Sequence, residues 1–162
     1  MKDRYLFKAK RKNWQELPKD KQWVTGTIMY IENKCMMLIE DEENLLRVHY
    51  LDDEMWRADI YAIEVDELTI CQCTGLKDKN GNLIWDNDIV KDLFSDVCAQ
   101  IKYGSYQNCF DSTKAEHVGF YVGWSGKYVK RHRKDLGYWI NIVDAEVVGN
   151  VFDKPELLES EE

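Results

Sequence analysis

The sequence predicts an all-β or β-rich fold in which an antiparallel meander is followed by a small C-terminal barrel, with at most one or two short helices. Apolar and polar residues alternate with the period of a half-buried strand, most clearly where Val97, Ala99, Ile101 and Tyr103 are interleaved with Cys98, Gln100 and Lys102. No long apolar stripe follows the 3.6-residue period of a helix. Short segments rich in Gly, Asn and Asp separate the patterned stretches, which is typical of a β fold with many turns.

The first half of the chain indicates short strands joined by turns. Aromatic and β-branched residues are concentrated in these stretches, and residues 32–34 and 41–44 have turn composition. The segment Asp52 to Ala58 is predicted as a short helix, because acidic side chains in a first turn are favoured by the helix dipole. Strands are predicted over residues 5–9, 23–31, 35–39 and 45–50.

The second half predicts further strands around two turns. Asn80-Gly81 suits a type I′ turn, and Asn87 between two aspartates is a candidate for the left-handed conformation. The boundary is placed so that residues 1–68 form an N-terminal β subdomain and residues 69–162 form a small C-terminal β-barrel subdomain with an acidic tail. Strands are predicted over residues 68–73, 97–103, 120–122, 139–143 and 145–152.

Composition and length narrow the class of protein. The 162 residues carry a net charge of −8, and no apolar run approaches the roughly 20 residues of a membrane span, so no membrane partner is expected. An odd number of cysteines without an export signal predicts free thiols in a reducing cytoplasm. These are expected to be buried and structural: Cys35, Cys71, Cys73, Cys98 and Cys109.

Two signature segments resemble the YopX family of bacteriophage and prophage proteins. The first contains Gln72, Thr74, Gly75, Leu76, Asp78, Asn80, Gly81, Trp85, Asp88, Ile89 and Val90, and the second contains Gly149-Asn150-Val151-Phe152 and Pro155-Glu156-Leu157-Leu158. Cys73 stands where the family has an aromatic residue, Asn87 where it has Gly, and Lys10 where it has Trp. The resemblance implies a β-rich fold with a small C-terminal barrel, a phage or prophage origin and self-association. It assigns no catalytic or binding residue.

Charge is distributed unevenly, and one cluster is the best candidate for a binding surface. Residues 32–67 carry three basic and twelve acidic side chains, whereas residues 127–134 carry five basic and none acidic. Basic side chains there would neutralise phosphates while Tyr128 and His132 stack on bases. The alternative is a charged loop that pairs with acidic residues of the same or a neighbouring chain. Residues 8–12 are open to the same two interpretations. The candidate nucleic-acid or anion contacts are Lys127, Tyr128, Lys130, Arg131, Arg133 and Lys134.

No catalytic residue, metal ligand or cofactor is predicted. Asp86 and Asp88 are interpreted as turn residues, since carboxylates at such spacing accept backbone N–H bonds. Cys109 and His117 lack any recognised nucleophile motif, and the pair Cys71 and Cys73 lacks further metal ligands. The leading hypothesis is a phage or prophage accessory protein, a non-enzymatic interaction module that forms a homo-oligomer or binds a host or phage protein. The alternative is a nucleic-acid-binding protein that uses residues 127–134.

Overall fold

The computed structural model describes residues 5–39, 47–52, 55–59, 61–94 and 96–158, with the backbone alone for residues 47–52 and 55–59. The chain divides into two compact units, an N-terminal unit up to Gln72 and a C-terminal unit from Cys73 onward. Strands form most of the regular structure and both α-helices are short, so the predicted β-rich class is confirmed. Among the described helices, none has the length and apolar character that crossing a bilayer requires.

The described residues form twelve strands and two α-helices. The strands are β1 (Phe7–Lys10), β2 (Trp23–Ile31), β3 (Lys34–Leu38), β4 (Arg47–Asp52), β5 (Met55–Asp59), β6 (Ala62–Glu64), β7 (Cys71–Lys77), β8 (Leu83–Trp85), β9 (Asp88–Lys91), β10 (Cys98–Tyr106), β11 (His117–Gly123) and β12 (Glu146–Asn150). The helices are α1 (Lys19–Gln22) and α2 (Leu136–Asn141).

The N-terminal unit contains an antiparallel sheet in the order β6-β3-β2-β1-β7. Consecutive strands β1, β2 and β3 are neighbours, which confirms the predicted meander. The core of this unit buries Ala9, Val24, Cys35, Met37 and Val65. These residues reach one core because side chains along a strand alternate between its two faces. β7 begins in this unit beside β1 and ends in the C-terminal unit beside β8.

The prediction of a short helix over Asp52 to Ala58 is wrong. Met55–Asp59 forms β5, which pairs antiparallel with β4. Pairing with β4 gives the backbone of this segment a ladder of inter-strand hydrogen bonds. That ladder outweighs the modest preference of first-turn acidic side chains for a helix.

The hairpin between β2 and β3 confirms the predicted turn, and it is very tight. Ile31 pairs with Lys34, so Glu32 and Asn33 alone form the loop, with φ values of 50° and 64°. Two consecutive residues with positive φ are the mark of a type I′ turn. Asparagine tolerates this conformation because its short polar side chain can hydrogen-bond to the local backbone, whereas glutamate lacks this compensation.

Replacing Glu32 with asparagine is expected to stabilise the N-terminal unit by about 0.5–1 kcal/mol, because asparagine adopts positive φ at lower cost. Thermal unfolding followed by circular dichroism measures the change. Glu32→Gln removes the same charge without the turn preference of asparagine, so its melting temperature should stay at that of the parent. An equal gain in both variants would assign the effect to the charge instead of the backbone conformation.

The C-terminal unit contains a four-stranded antiparallel sheet in the order β11-β10-β9-β12. The predicted alternation along β10 is confirmed at Ala99 and Ile101, which are buried. It is wrong at Tyr103, which was predicted for the same face but is 61% exposed and packs edge-on against Phe120 of the neighbouring strand. The predicted barrel is not closed within the described residues, because β11 pairs with β10 and β12 pairs with β9, but not with each other. The physical reason lies at the free side of β11. There Tyr121 forms an isolated bridge with Asp135, at the start of α2, instead of pairing with a further strand.

The prediction of a strand over residues 139–143 is also wrong, because Leu136–Asn141 forms α2. Leu136, Trp139 and Ile140 are the buried residues of this helix. Their i, i+3, i+4 spacing is the pattern of one helix face. The aromatic and β-branched character of the segment favours a strand by propensity alone, and packing of this face against the core overrides that preference.

The two turns of the signature lie where they were predicted, but the first differs in type. Gly81 has a φ of 84° and Asn80 has a negative φ, so a three-residue loop ending in glycine replaces the predicted type I′ turn. The Asp78 carboxylate fixes this loop by accepting the backbone N–H groups of Asn80 and Asn82, each at 2.9 Å. In the second turn Asn87 has a φ of 67°, and its predicted left-handed conformation is confirmed.

All five cysteines are free thiols, and they differ in exposure. Cys35, Cys71 and Cys73 are buried, as predicted, and Cys98 is half-buried. Cys71 and Cys73 stand two residues apart on β7 and are both fully buried, as expected for one face of a strand. Cys109 is exposed, because it lies in the loop after β10 instead of on a strand, so the prediction of burial is wrong there.

Candidate functional site

The basic segment, residues 127–134, has a defined backbone path in the C-terminal unit. Gly126–Lys130 forms a 3-10 helix, and the N–H of Arg131 donates to the Tyr128 carbonyl at 3.0 Å. At the other end, the N–H of Val122 donates to the Lys134 carbonyl at 2.8 Å. The segment is therefore attached to β11 just before α2 begins.

His132 attaches the middle of the basic segment to the core. Its Nε2 lies 3.1 Å from Oδ2 of Asp92, and both side chains are largely buried. The imidazole stacks on Trp139 with 5.5 Å between ring centroids and lies 4.7 Å from the ring of Trp124. Tyr128 approaches the same imidazole edge-on at 5.3 Å. The rings of Trp124, Tyr128 and Trp139 thus pack around the His132 imidazole, which the sequence predicted to stack on a nucleic-acid base.

Two tryptophans fix the backbone at Arg133. The indole N–H groups of Trp124 and Trp139 both donate to the Arg133 carbonyl oxygen, at 2.9 Å and 2.6 Å. Releasing that carbonyl would leave two buried donors without an acceptor, which is costly. The Arg133 side chain therefore starts from a rigid position.

Asp135 collects hydrogen bonds from three parts of the C-terminal unit. Its carboxylate accepts from Asn108 Nδ2 at 2.7 Å, from Arg133 Nε at 3.1 Å and from the Tyr106 hydroxyl at 3.4 Å. Partial burial raises the pKa of the Asp135 carboxyl, but the donors from Asn108 and Arg133 outweigh it, so this pKa lies below its ordinary value. Burial, followed by the charge of Asp135, raises the pKa of Tyr106.

The lowered pKa of Asp135 predicts a loss of stability in acid. Its contribution is complete above the unfolded-state pKa of about 3.9 and is lost as the pH falls through the lower folded-state pKa. We expect the melting temperature of the C-terminal unit to fall between about pH 5 and pH 2, and to fall less steeply in Asp135→Asn, which cannot titrate. Tryptophan fluorescence during heating measures both slopes. Identical slopes would show that Asp135 contributes nothing to the acid sensitivity.

An open pocket of about 510 Å³ lies beside the basic segment. Arg131 and Arg133 supply its cationic side, and Phe94, Phe110 and Tyr138 supply aromatic surface; we call it the arginine pocket. Phe94 is 89% exposed and Phe110 is 57% exposed, so both rings stand at the rim instead of in the core. The volume falls in the range of about 300–1,000 Å³ that small-ligand sites occupy.

Two buried polar residues hold the walls of the arginine pocket together. Asp92 accepts the backbone N–H of Phe94 on Oδ1 at 3.1 Å, and through Oδ2 it reaches the basic segment. Asn108 accepts the backbone N–H of Lys134 on its side-chain oxygen at 2.8 Å, which fixes the loop that carries Phe110. The pocket is therefore built by side-chain hydrogen bonds between segments that are far apart in sequence.

The structure brings two of the six predicted contact residues together. Arg131 and Arg133 line the pocket. The ammonium of Lys127 lies 5.2 Å from the ring centroid of Tyr128, and Tyr128 itself packs partly against the core. Lys130 and Lys134 are carried by the same segment but do not line the pocket.

The rim and wall residues were not found by sequence reasoning. Phe94 follows β9 and Phe110 follows β10, each in a polar turn or loop with no motif around it. The one available signal was the placement of a large aromatic ring outside any predicted strand. Asp92 and Asn108 gave no signal, because their partners lie 40 and 26–27 residues away.

The two aspartates of the second turn act as turn residues in the structure. Asp86 accepts the backbone N–H of Asn87 at 3.1 Å, and buried Asp88 accepts the backbone N–H of Trp85 at 2.9 Å. Burial raises the pKa of the Asp86 carboxyl, and the bond from Asn87 opposes that shift. Across the described ranges, no three His, Cys, Asp or Glu side chains are grouped as a metal site requires.

Cys109 and His117 have separate partners. His117 Nε2 lies 2.8 Å from Asp111 Oδ2, whereas the Cys109 thiol lies 3.9 Å from the backbone carbonyl of His132. The side chain of His49 lies outside the described residues. His117 and His132 therefore each contact an aspartate, and His132 also packs against aromatic rings.

The comparison with known proteins decides the family. A family model described as YopX protein matches residues 14–159, which is nearly the whole chain. The chain belongs to the YopX family. The match confirms the resemblance carried by the two signature segments. No curated protein matches the sequence.

In this YopX family member the signature residues shape the backbone. Thr74 donates its hydroxyl to the Ile84 carbonyl at 2.9 Å, and the side-chain oxygen of Asn150 accepts the N–H groups of Phe152 and Asp153 at 3.0 Å. None of the signature residues lines the arginine pocket. The family signature therefore marks the fold, and the pocket is built by residues outside it.

Proposed function

We propose that this YopX family member is a phage or prophage accessory protein of the bacterial host cytoplasm that acts as a non-enzymatic interaction module. The arginine pocket carries the proposal, because it is a defined concave site with cationic and aromatic residues at its rim. Asp92 and His132 lie in the pocket wall, and their contact with each other holds the basic segment against the core. Family membership supports the phage setting.

The charge of the pocket favours an anionic partner, and the chain itself carries a matching segment. Residues 32–67 have a balance of −9 from three basic and twelve acidic side chains. Complementary charged surfaces guide association between subunits and make it sensitive to salt. A second copy of this chain is therefore our first choice of partner.

Light scattering coupled to size exclusion tests this choice. We expect a mass above that of the monomer at about 0.05 M salt that falls toward the monomer at about 0.5 M, where charges are strongly screened. Arg131→Glu should give the monomer at both salt concentrations. Lys114→Glu makes the same charge change outside the pocket and should behave like the parent. A monomer under all conditions, or equal effects of both variants, would rule out assembly through this site.

Nucleic-acid binding is the second candidate, and the exposed rings next to the arginines favour it. Aromatic faces beside cations are the combination that single strands require. The proposed contacts are Lys127, Tyr128, Lys130, Arg131, Arg133 and Lys134. Fluorescence anisotropy with labelled single- and double-stranded oligonucleotides should show binding that weakens with salt and is lost when the five cations become alanine. Unchanged binding in that variant, or no binding by the parent, would reject this function.

A further inference from the structure

We infer that the arginine pocket receives one nucleotide unit, with its base against the rim rings and its phosphate at Arg131. The inference rests on the second of the two proposed functions and goes further by naming the residues that read the base. The same chemistry is offered by a free mononucleotide and by one residue of a single strand. The two sources are separated by the experiment below.

The rim rings suit a flat aromatic ligand. Phe94 and Phe110 expose 89% and 57% of their surface beside the same cavity, and Tyr138 exposes 36%. Aromatic rings carry large apolar surfaces, and covering such a surface with another ring is energetically favourable. Every nucleobase has such a face, and stacking on exposed aromatic side chains is the usual way proteins hold unpaired bases.

The arginines suit a phosphate. Arg131 is exposed, and its guanidinium has no hydrogen bond or ion pair within the described part of the chain. Arg133 is held more firmly, with Nε on Asp135 and its guanidinium 5.4 Å from the Tyr138 ring. A guanidinium group is planar and can donate several hydrogen bonds to one phosphate. Arg131 has its donors available for such contacts, and Arg133 is held in position beside it.

The single carboxylate in the pocket wall does not oppose an anion strongly. The Asp92 side chain is 4% exposed, and both of its oxygens already have partners, the N–H of Phe94 and Nε2 of His132. These contacts also order the backbone at the rim before any ligand binds. Binding therefore costs little conformational entropy there. Because the protein carries a net charge of −8, a discrete unit in one pocket fits better than a long strand coating the surface.

Two probes test the inference: adenosine 5′-monophosphate, and a short fluorescent single-stranded oligodeoxyadenylate. We expect saturable binding of the oligonucleotide. Phe94→Ala, Phe110→Ala and Arg131→Ala should each weaken it about fivefold or more, in keeping with stacking and phosphate contacts. Competition by the mononucleotide would show that the pocket takes a free nucleotide, and ring-dependent binding without competition would show that it takes a strand residue. Either result supports the inference.

Matched variants keep the test interpretable. Phe94→Tyr retains a ring and should bind within about twofold of the parent, since stacking depends on the face and not on the substituent. Leu93→Ala truncates the neighbouring residue of the same turn, which does not line the pocket, and should leave binding unchanged. Circular dichroism confirms that each variant is folded. Loss of binding in Leu93→Ala as large as in Phe94→Ala would overturn the role of the rim ring.

The failures can be told apart. If the oligonucleotide binds but none of the three alanine variants changes its affinity, the pocket inference falls while nucleic-acid binding through other residues of the basic segment stands. If neither probe binds, both fall together. If polyglutamate displaces the oligonucleotide as well as the mononucleotide does, the pocket recognises charge alone, and a base-reading role is overturned.

Discussion

The Gly26→Ala variant is expected to lose about 3 kcal/mol of stability in the N-terminal unit. A Cβ at this position would stand 1.9 Å from the Leu38 carbonyl oxygen and 2.9 Å from its carbonyl carbon. Those atoms belong to the main chain of β3, and Thr27 beside Gly26 is paired with Leu38 in the same ladder. The clash therefore cannot be relieved by rotating a side chain, and one of the two strands must move.

Urea unfolding followed by circular dichroism measures this loss. Gly137→Ala is the matched control, because its new Cβ would meet nothing closer than Asn141 Nδ2 at 3.8 Å. Gly137 lies in α2, where alanine is favoured over glycine, so a gain of about 0.5–1 kcal/mol is expected. A Gly26→Ala protein with the midpoint of the parent would show that β2 and β3 do not approach as closely as described.

Lys10→Met is expected to destabilise the N-terminal unit by about 2 kcal/mol, the value of a well-shielded cation–π contact. Lys10 is 2% exposed, and its ammonium lies 3.9 Å from the Trp14 ring centroid and 5.5 Å from that of Trp23. It also reaches Gln22 Oε1 at 3.5 Å. Methionine keeps most of the buried stem but removes the charge that the rings and the amide oxygen stabilise.

The same measurement on Lys8→Met provides the comparison. The Lys8 ammonium lies 5.3 Å from the Trp23 ring centroid, and the residue is only half-buried. Its removal should cost no more than about 0.5 kcal/mol, as for an exposed cation–π pair. Equal losses of stability in Lys10→Met and Lys8→Met would mean that burial does not strengthen the cation–π contacts of Lys10. Residues 8–12 thus combine one buried structural cation, Lys10, with more exposed basic neighbours. Composition alone could not tell the buried cation from the exposed ones.

Strand segments and turns were predictable where the local pattern was unambiguous. The alternation in β10 and the Asn87 turn follow from side-chain periodicity and from the tolerance of asparagine for positive φ. The errors at β5 and α2 have one cause, since both segments are short and of mixed propensity. Their neighbours decide between helix and strand: β4 offers hydrogen-bond partners to one, and the apolar core covers a face of the other.

The candidate site was predictable only in part. A run of basic residues can be recognised from the sequence alone, and this run predicted Arg131 and Arg133, which line the pocket. The residues that turn the run into a pocket are joined to it by long-range bonds, such as Asp92 to His132 and Asn108 to Lys134. Such bonds depend on how β9, β10 and the following loop are arranged in space, and a single sequence does not encode that arrangement in any local pattern.

Cys109 offers a route to follow the pocket with a dye. It is the exposed cysteine of the chain and stands next to Phe110, whereas Cys35, Cys71 and Cys73 are buried. Partial burial raises the pKa of the Cys98 thiol, with Lys91 opposing the shift, and a raised pKa slows alkylation. Brief maleimide labelling should therefore place a single fluorophore beside the rim without any engineered cysteine, and its emission would report occupancy directly.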